Sequence, residues 1–577
     1  MIREQILKDL KSVLVKLKIP SEKLILEHPA EVSFGDYSTN IALRISHKDF
    51  ANPVDFANSI VNTWRATGLP EYLAKIEVVK PGFINLWLKK EFFVSQVEEV
   101  LKRKQKYGSS LAGRRKTVVI DYSGPNIAKP FGIGHLRSTN IGQALYNLYQ
   151  FLGWRTIGDN HLGDWGTQFG KLIVAIRRWD VRGVKGGLRS GKLDIARLEK
   201  LYVKFHQEAE KNPELEDEAR LWFKKLEGKD AEARKIWQGC VEVSLKEYER
   251  IYRLLGVKID YAFGESFYVE EAAEVIARAK RNKIAVESQG ALVIELPKIP
   301  PAMLLKSDEA TTYLARDLAA IAYRQKRWQP DLFIYEVGAE QKLYFQQLFA
   351  AAKILNHEKR SQFVHIPHGL IRFSEGKMST RMGKTIHLED VFSQAIKKAK
   401  KIIQSSATDR GLGVRLKEKV AQAVGIGAVK YSDLKQNPQT DIVFDWERIF
   451  NLEGDSGPYL QYTYARCRSV LRKAAIKQLS NLAIKQSSNF SEEEVAILRT
   501  IYKFPELVEE AAENFSPNLV CAYLFDLAQK YNLMYNKLPI LKSTKKVREA
   551  RLALTAATAQ VIKNGLTILG IEAIERM

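Results

Sequence analysis

The stretch TVVIDYSGPNIAKPFGIGHLRSTNIGQALYNLYQFLGWRTI, residues 117–157, decides the architecture. Thr117 to Tyr122 reads as a buried strand, and Ser123-Gly124-Pro125-Asn126 breaks it. Lys129-Pro130-Phe131-Gly132-Ile133-Gly134-His135 leads straight into a helix. There Ile141, Leu145, Leu148 and Leu152 recur at steps of four, three and four, which is one apolar stripe. Gly153 stops that helix, and Trp154-Arg155-Thr156-Ile157 offers a second strand. Strand, loop, helix and strand within about 40 residues is a βαβ unit of a parallel sheet. Such sheets bind ligands at the carboxyl ends of their strands, which here means Ser123 to His135.

Upstream, residues 1–110 read as a separate α/β module. Helix patterns cover about 2–17 and 51–66, Phe34 to Asn40 reads as a turn feeding a helix or strand, and Ile76–Val79 and Phe83–Leu88 flank a Pro81-Gly82 turn. The basic run Lys102 to Lys106, with Gly108 and Gly113, marks a boundary near 110. Downstream, residues 171–260 are helical and heavily charged. Their apolar positions look too sparse for a central core, so the segment is expected as an insertion packed on one side. Apolar strands return at Ala291–Glu295 and Leu332–Val337, with a helix from Tyr313 between them and a strand-end loop at Gly338 to Gln341. His368 to Phe373 precedes the polar loop Ser374–Lys384. From about 390 the pattern is almost wholly helical, and a helix near Tyr459, Tyr462 and Tyr464 carries Arg466, Arg468, Arg472 and Lys473. A basic, aromatic-bearing bundle suits RNA, and an unspecialised bundle has the same pattern.

At 577 residues the chain exceeds one core, so about three or four domains are expected. Ninety Lys and Arg against 67 Asp and Glu give a net charge of +23, which favours a nucleic-acid partner over a merely solvated surface. The three cysteines, Cys240, Cys467 and Cys521, include no CxxC, so neither a disulfide framework nor a cysteine zinc site is expected. The amino-terminal residues do not read as a signal peptide, and no apolar run reaches the roughly 18 residues that span a bilayer. The expected setting is cytoplasmic, with no membrane association and a monomer as the simplest state.

Two loops carry chemistry. Gly132-Ile133-Gly134-His135 opens a helix, where free N–H groups and the helix dipole favour phosphate and a histidine can donate to a developing charge. The same residues also make a plain strand-to-helix turn. Gly376 to Lys384 offers Lys377, Arg381 and Lys384 to a triphosphate. Each loop is expected to follow a strand of one sheet. Asp121 near a strand end, and Tyr313 with Asp317 at i, i+4 on one helical face, would suit a cationic substrate. Asp317 serves equally as a structural partner for Arg316 or Arg324.

Together these stretches resemble the class I aminoacyl-tRNA synthetases, and among them the arginyl-tRNA synthetases. Ser123-Gly124-Pro125-Asn126-Ile127-Ala128-Lys129-Pro130 with Gly134-His135-Leu136-Arg137-Ser138-Thr139 resembles the extended HIGH signature, Gly163-Asp164-Trp165-Gly166-Thr167-Gln168-Phe169-Gly170 a second block, and Lys377-Met378-Ser379-Thr380-Arg381 the KMSK loop. Phe34 to Ser38 and Gly82 to Asn85 resemble the family's extra amino-terminal domain, and Gly457 to Tyr462 with the tail from Asn564 to Met577 its helical anticodon-binding domain. The implied fold is multidomain α/β. It has an additional domain at 1–110 that reads the tRNA D-loop, a Rossmann-type parallel-sheet catalytic domain at 111–390 with the 171–260 insertion, a helical connector at 391–450, and an all-α anticodon-binding domain at 451–577.

The resemblance implies arginine–tRNA ligation. Arginine is activated with ATP, in a step that needs bound tRNA, and is then passed to the 3′ end of tRNA(Arg). It implies that Asn126 and Gln341 hold the α-amino end, and that Asp121, Tyr313 and Asp317 receive the guanidinium. It places Gly132, Gly134 and His135 under ATP, with His368 and the backbone near Leu370 at the adenine, and Lys377, Met378, Ser379 and Arg381 on the phosphates. Phe83 and Asn85, with Tyr459 and Arg466, would contact tRNA. Mg²⁺ would arrive with ATP, and no protein-held metal or organic cofactor is expected. Two departures stand out: Gly132 replaces the first HIGH histidine, for which Lys129 is a substitute cation, and Thr380 replaces the second KMSK lysine. Gly132 keeps open a catalytically weak tRNA-binding paralogue, and a further alternative, which the acidic pocket disfavours, is a class I synthetase for another amino acid.

Overall fold

The computed structural model describes residues 1–22, 24–45, 50–180, 193–355, 361–373, 386–405, 413–475, 484 and 489–577. At the amino end, helices Ile2–Lys16 and Pro53–Ala66 pack on an antiparallel sheet of β1 (Tyr37–Thr39), β2 (Leu73–Val79) and β3 (Phe83–Leu88), in the order β1-β3-β2. The Phe34–Asn40 segment thus resolves into a strand. Asn52 caps the second helix, accepting the Asp55 N–H at 2.9 Å, and Pro53 supplies its first turn.

β4 (Thr117–Asp121) and β5 (Arg155–Asp159) pair in parallel, and every residue of β4 is buried. The helix between them, Gly134–Phe151, buries Ile141, Leu145 and Leu148 of the stripe, and Leu152, which caps its end, is buried too. It presses so close to the sheet that a Cβ on Gly142 would lie 2.4 Å from Tyr122. Gly153, at φ +81°, ends it.

Ala291–Ile294 is a strand but not of this sheet. β6 (Ala285–Ser288), β7 (Ala291–Ile294) and β8 (Ala302–Leu305) form a separate antiparallel sheet. The parallel sheet is completed by β9 (Leu332–Gly338) and β10 (Gln362–His368), in the order β10-β9-β4-β5. The short strand before the 374–384 loop also lies elsewhere: β11 (Ile371–Phe373) pairs in parallel with β12 (Ile442–Phe444), a strand inside the otherwise helical 391–450 stretch.

The 171–260 segment corrects the expectation of a sparse, one-sided insertion. Its helices Ile195–Ala209, Glu214–Glu227 and Ala231–Leu255 enter a buried core shared with helices Thr167–Trp179, Leu388–Ser405 and Val414–Leu434. Leu198, Leu201 and Phe205, and Leu215, Ala219, Trp222 and Leu226, each form a buried stripe at helical spacing. That core includes Phe131 of the loop after β4. Tyr248 from the insertion donates to Asn126 O at 2.5 Å and Lys129 O at 2.9 Å, so the insertion holds the site loop in place. The carboxyl-terminal helices pack on both the Gly134 helix and the amino-terminal module. In the latter junction Arg499 meets Asp36 at 3.1 Å, and Tyr37 donates to Glu506 at 2.5 Å.

Candidate active site

At the carboxyl ends of β4, β5, β9 and β10, where the Gly134 helix begins, lies a cavity of about 420 Å³. Of the expected substrate residues it brings together Asp121, Asn126, Gly134, His135, Asp317, Gln341 and His368. One side favours anions. The bare backbone at Gly134 opens the helix, and an added Cβ there would meet no atom within 4 Å. His135 Nδ1 accepts the Gly132 N–H at 3.2 Å, which leaves the ring proton on Nε2. Burial, with smaller contributions from the charges of Lys129 and His368, lowers its pKa, so His135 is a neutral N–H donor.

The other side is acidic, and its pairing differs from expectation. Asp121 already holds a guanidinium of its own chain. Arg324 Nη2 lies 2.7 Å from Asp121, and Arg324 Nε lies 2.7 Å from Asp159 at the end of β5. Asp317 pairs with neither Arg316 nor Arg324. It meets His161 Nε2 at 3.1 Å and accepts from the Tyr344 hydroxyl. Burial opposes the Asp317 charge, but these two partners outweigh it and lower its pKa. Arg316 instead pairs with Glu265 at 3.0 Å and stacks 4.8 Å over Tyr313. Tyr313, 54% exposed, is therefore not among the cavity-lining residues.

Other expected residues also sit apart. Lys129 is exposed with its ammonium 5.6 Å over Tyr202, and is not among the residues that line the cavity. The Leu370 N–H is taken by Asp441 at 2.8 Å and its carbonyl by Ile442, so that backbone is committed to the connector rather than to an adenine. Lys377, Met378, Ser379 and Arg381 lie outside the described residues. The chain resumes against the site: Ile133 N–H donates to Ile386 O at 2.9 Å, and Gly132 forms a bridge with His387. His161, Arg324, Tyr344 and Glu336 also line the cavity and were not assigned to it from sequence. His161 follows the strand read at 154–157, so the strand-end rule that found Asp121 also points to it.

The expected RNA-facing residues fall in two further places. Phe83 and Asn85 line a 370 Å³ cavity of the amino-terminal module, where Asn85 Oδ1 accepts from Ser38 at 2.6 Å. Arg466 lines a larger cleft of about 640 Å³ in the carboxyl-terminal helices, its guanidinium 4.8 Å from both the Tyr462 and Tyr535 rings. Tyr459 packs edge-on against Phe525 at 5.5 Å. Among the described residues, no three or more His, Cys, Asp or Glu side chains converge to hold a metal.

The His161–Asp317 pair makes stability depend on pH. Burial disfavours the His161 cation, yet Asp317 raises its pKa to about 9. The pair's contribution is therefore complete below the unfolded value near 6.5 and is lost as pH rises through about 9. The melting temperature of the unaltered chain should exceed that of His161→Gln most at pH 6, and the gap should close by pH 10. A gap independent of pH would refute the assignment.

Residues 1–88 match the family described as the arginyl tRNA synthetase N terminal domain, residues 96–446 tRNA synthetases class I (R), catalytic domain, and residues 460–577 the DALR anticodon binding domain. The chain is 40% identical to the arginine–tRNA ligase of Halothermothrix orenii over 570 residues, 97% of each chain. It is 43% identical to that of Clostridioides difficile over 499 residues, 86% of each. Its fold is shared with the crystal structure of arginyl-tRNA synthetase from Plasmodium falciparum, with a TM-score of 0.86 and 24% identity, covering 100% of this chain and 99% of that one.

Proposed function

The chain belongs to the class I arginyl-tRNA synthetases, and from that membership we propose that arginine and ATP react in the cavity at the ends of β4, β5, β9 and β10. The activity is that of an arginine–tRNA ligase, with ATP as a substrate and tRNA as the acceptor. A carboxylate oxygen of arginine attacks the α-phosphorus of ATP, the bond to the β-phosphate bridge breaks, and pyrophosphate leaves. A hydroxyl of the tRNA 3′-terminal ribose then attacks the arginyl carbonyl and AMP leaves.

The observation that carries the site assignment is the cavity's polarity. The Gly134 helix start with His135 and His368 lines the cavity, and so does the Asp317 carboxylate with His161 beside it. This suits a triphosphate at one end and a guanidinium at the other. In this reading Asn126 and Gln341 hold the α-amino end, and Asp317 receives the guanidinium. His135 donates from Nε2 to the phosphates, with Lys377, Met378, Ser379 and Arg381 closing over them. Mg²⁺ enters with ATP. Asp121, paired with Arg324, does not receive the guanidinium directly. Residues 1–110 and 451–577 grip the tRNA through Phe83 and Asn85 and through Arg466, and residues 111–390 and 391–450 form the catalytic and connecting parts of a cytoplasmic monomer. Among the described residues no helix is long and apolar enough to cross a membrane.

The test is ATP–pyrophosphate exchange with a panel of amino acids, with and without tRNA. Exchange with arginine alone, and only when tRNA is present, is expected. Exchange with another amino acid, or tRNA binding without any exchange, would overturn the reading.

A further inference from the structure

The anion-favouring side of the cavity holds a pair of titratable groups that the reaction as described does not use. Glu336 in β9 is 0% exposed, and its Oε1 lies 2.9 Å from Nδ1 of His368, the last residue of the neighbouring β10. Its Oε2 has no hydrogen-bond partner among the described residues. Both side chains belong to residues that line the cavity. The groups packed around them are charged as well. From the Gly134 helix comes Arg137, 1% exposed, which pairs with Asp433 of helix Val414–Leu434 at 2.9 Å. His135 comes from the same helix, and His365 lies on the opposite face of β10, stacked on Phe345 at 4.4 Å.

Charge balance decides the state of this cluster. Glu336 and Asp433 bring two negative charges into the interior, and Arg137 brings one positive. Uncompensated buried charge is costly, so the cluster calls for one more proton, and the 2.9 Å contact between Glu336 and His368 is where it can be held. Burial and Arg137 oppose a charge on His368, but Glu336, through its charge and hydrogen bond, outweighs them and raises the His368 pKa. With Nδ1–H committed to Glu336, the remaining donor is Nε2–H.

We propose that Glu336 is a positioning residue that fixes His368 with Nε2–H toward the cavity, and that His368, expected at the adenine from the family resemblance, instead donates a charge-assisted hydrogen bond to a phosphate of the nucleotide. The assignment rests on the ligase reading of this cavity. Lys129, the other cation near this loop, is directed at Tyr202 and does not compete for the role. His368 loses no proton in the step. Its hydrogen bond strengthens as negative charge grows on the departing pyrophosphate.

The experiment measures kcat/KM for ATP in tRNA-supported pyrophosphate exchange across pH 6–9, for the unaltered chain, His368→Gln and Glu336→Gln. Adenosine, which lacks phosphates, serves as a competing ligand. His368→Gln should lower kcat/KM for ATP by about 10- to 100-fold, with the arginine KM and the adenosine inhibition constant little changed. In the unaltered chain the rate should fall as pH rises through the His368 pKa, and Glu336→Gln should move that fall to lower pH, which a merely structural role would not do. An unmoved pH break, or adenosine binding weakened as much as ATP, would overturn the proposal. If Glu336→Gln does not fold, the ATP-against-adenosine comparison in His368→Gln decides. If the unaltered chain shows no exchange, the ligase reading fails, and calorimetric binding of ATP and of adenosine to the unaltered chain and His368→Gln still tests the phosphate contact.

Discussion

Asp317→Asn should lower kcat/KM for arginine by about 100-fold or more while leaving the KM for ATP within about threefold. Of the two carboxylates expected to face the substrate guanidinium, Asp121 is occupied by Arg324 at 2.7 Å, whereas Asp317, 23% exposed in the cavity, meets only His161 and the Tyr344 hydroxyl, which leaves each oxygen a lone pair for the substrate. A guanidinium is bound well only by two anionic oxygens in a plane. Asparagine keeps the volume and one acceptor for Tyr344 but removes the charge and the second acceptor. Hydrogen bonds to charged groups contribute about 1.5–3 kcal/mol each, so losing a bidentate pair amounts to about 3 kcal/mol or more. At about 1.4 kcal/mol per tenfold, that is a loss of 100-fold or more. With ATP bound at the Gly134 helix start, as proposed, its KM should not register the change. Saturation curves for arginine and for ATP in pyrophosphate exchange separate the two effects, and an unaltered arginine KM would refute the guanidinium role. The variant should also lower the His161 pKa from about 9, because that value depends on Asp317.

Residues 117–157 were legible because β4 is buried along its whole length and the helix after it keeps a three-four stripe, two patterns that need no tertiary information. β10 escaped for the opposite reason. Gln362–His368 is an edge strand, half-buried and mixed in polarity, and an edge tolerates Pro367. Ala291–Ile294 was recognisable as a strand, but an apolar run does not say which sheet will take it. The burial of the 171–260 helices went unseen because one stripe per helix looks sparse until several helices share a core. In the site, the rule that ligands sit at strand ends pointed to Asp121, Gly134, His135 and the loop of Gln341, which share one cavity, whereas His368 in that cavity came only from the family resemblance. What it did not give was partners. Asp121 and Arg324 are 203 residues apart, and only the packed sheet brings them together. Glu336 did leave a signal: a lone carboxylate inside the apolar run Leu332–Val337 calls for a buried partner.

That buried pairing carries the largest expected effect on stability. Arg324 is 1% exposed and balances both Asp121 and Asp159, the latter 0% exposed with one carboxylate oxygen already lacking a partner among the described residues. Arg324→Met fills the space but leaves two carboxylates side by side in the interior. Breaking a buried pair from one side costs about 3–5 kcal/mol, because the abandoned charge finds no water. For a domain of 150–250 residues that corresponds to a fall in melting temperature of roughly 10 °C. The pH dependence supplies the mechanism. Burial already raises the Asp159 pKa, and loss of Arg324 must raise it further, so the folded variant binds protons more readily than the unfolded chain. Its deficit should therefore be greatest at neutral pH and shrink as pH falls toward 4. Replacing all three partners, Arg324→Met with Asp121→Asn and Asp159→Asn, removes the stranded charges and should recover much of the loss. Thermal melts of the single and triple variants at pH 7 and pH 5 distinguish this from simple packing damage, which would leave the triple variant no better than the single one and the deficit unchanged with pH.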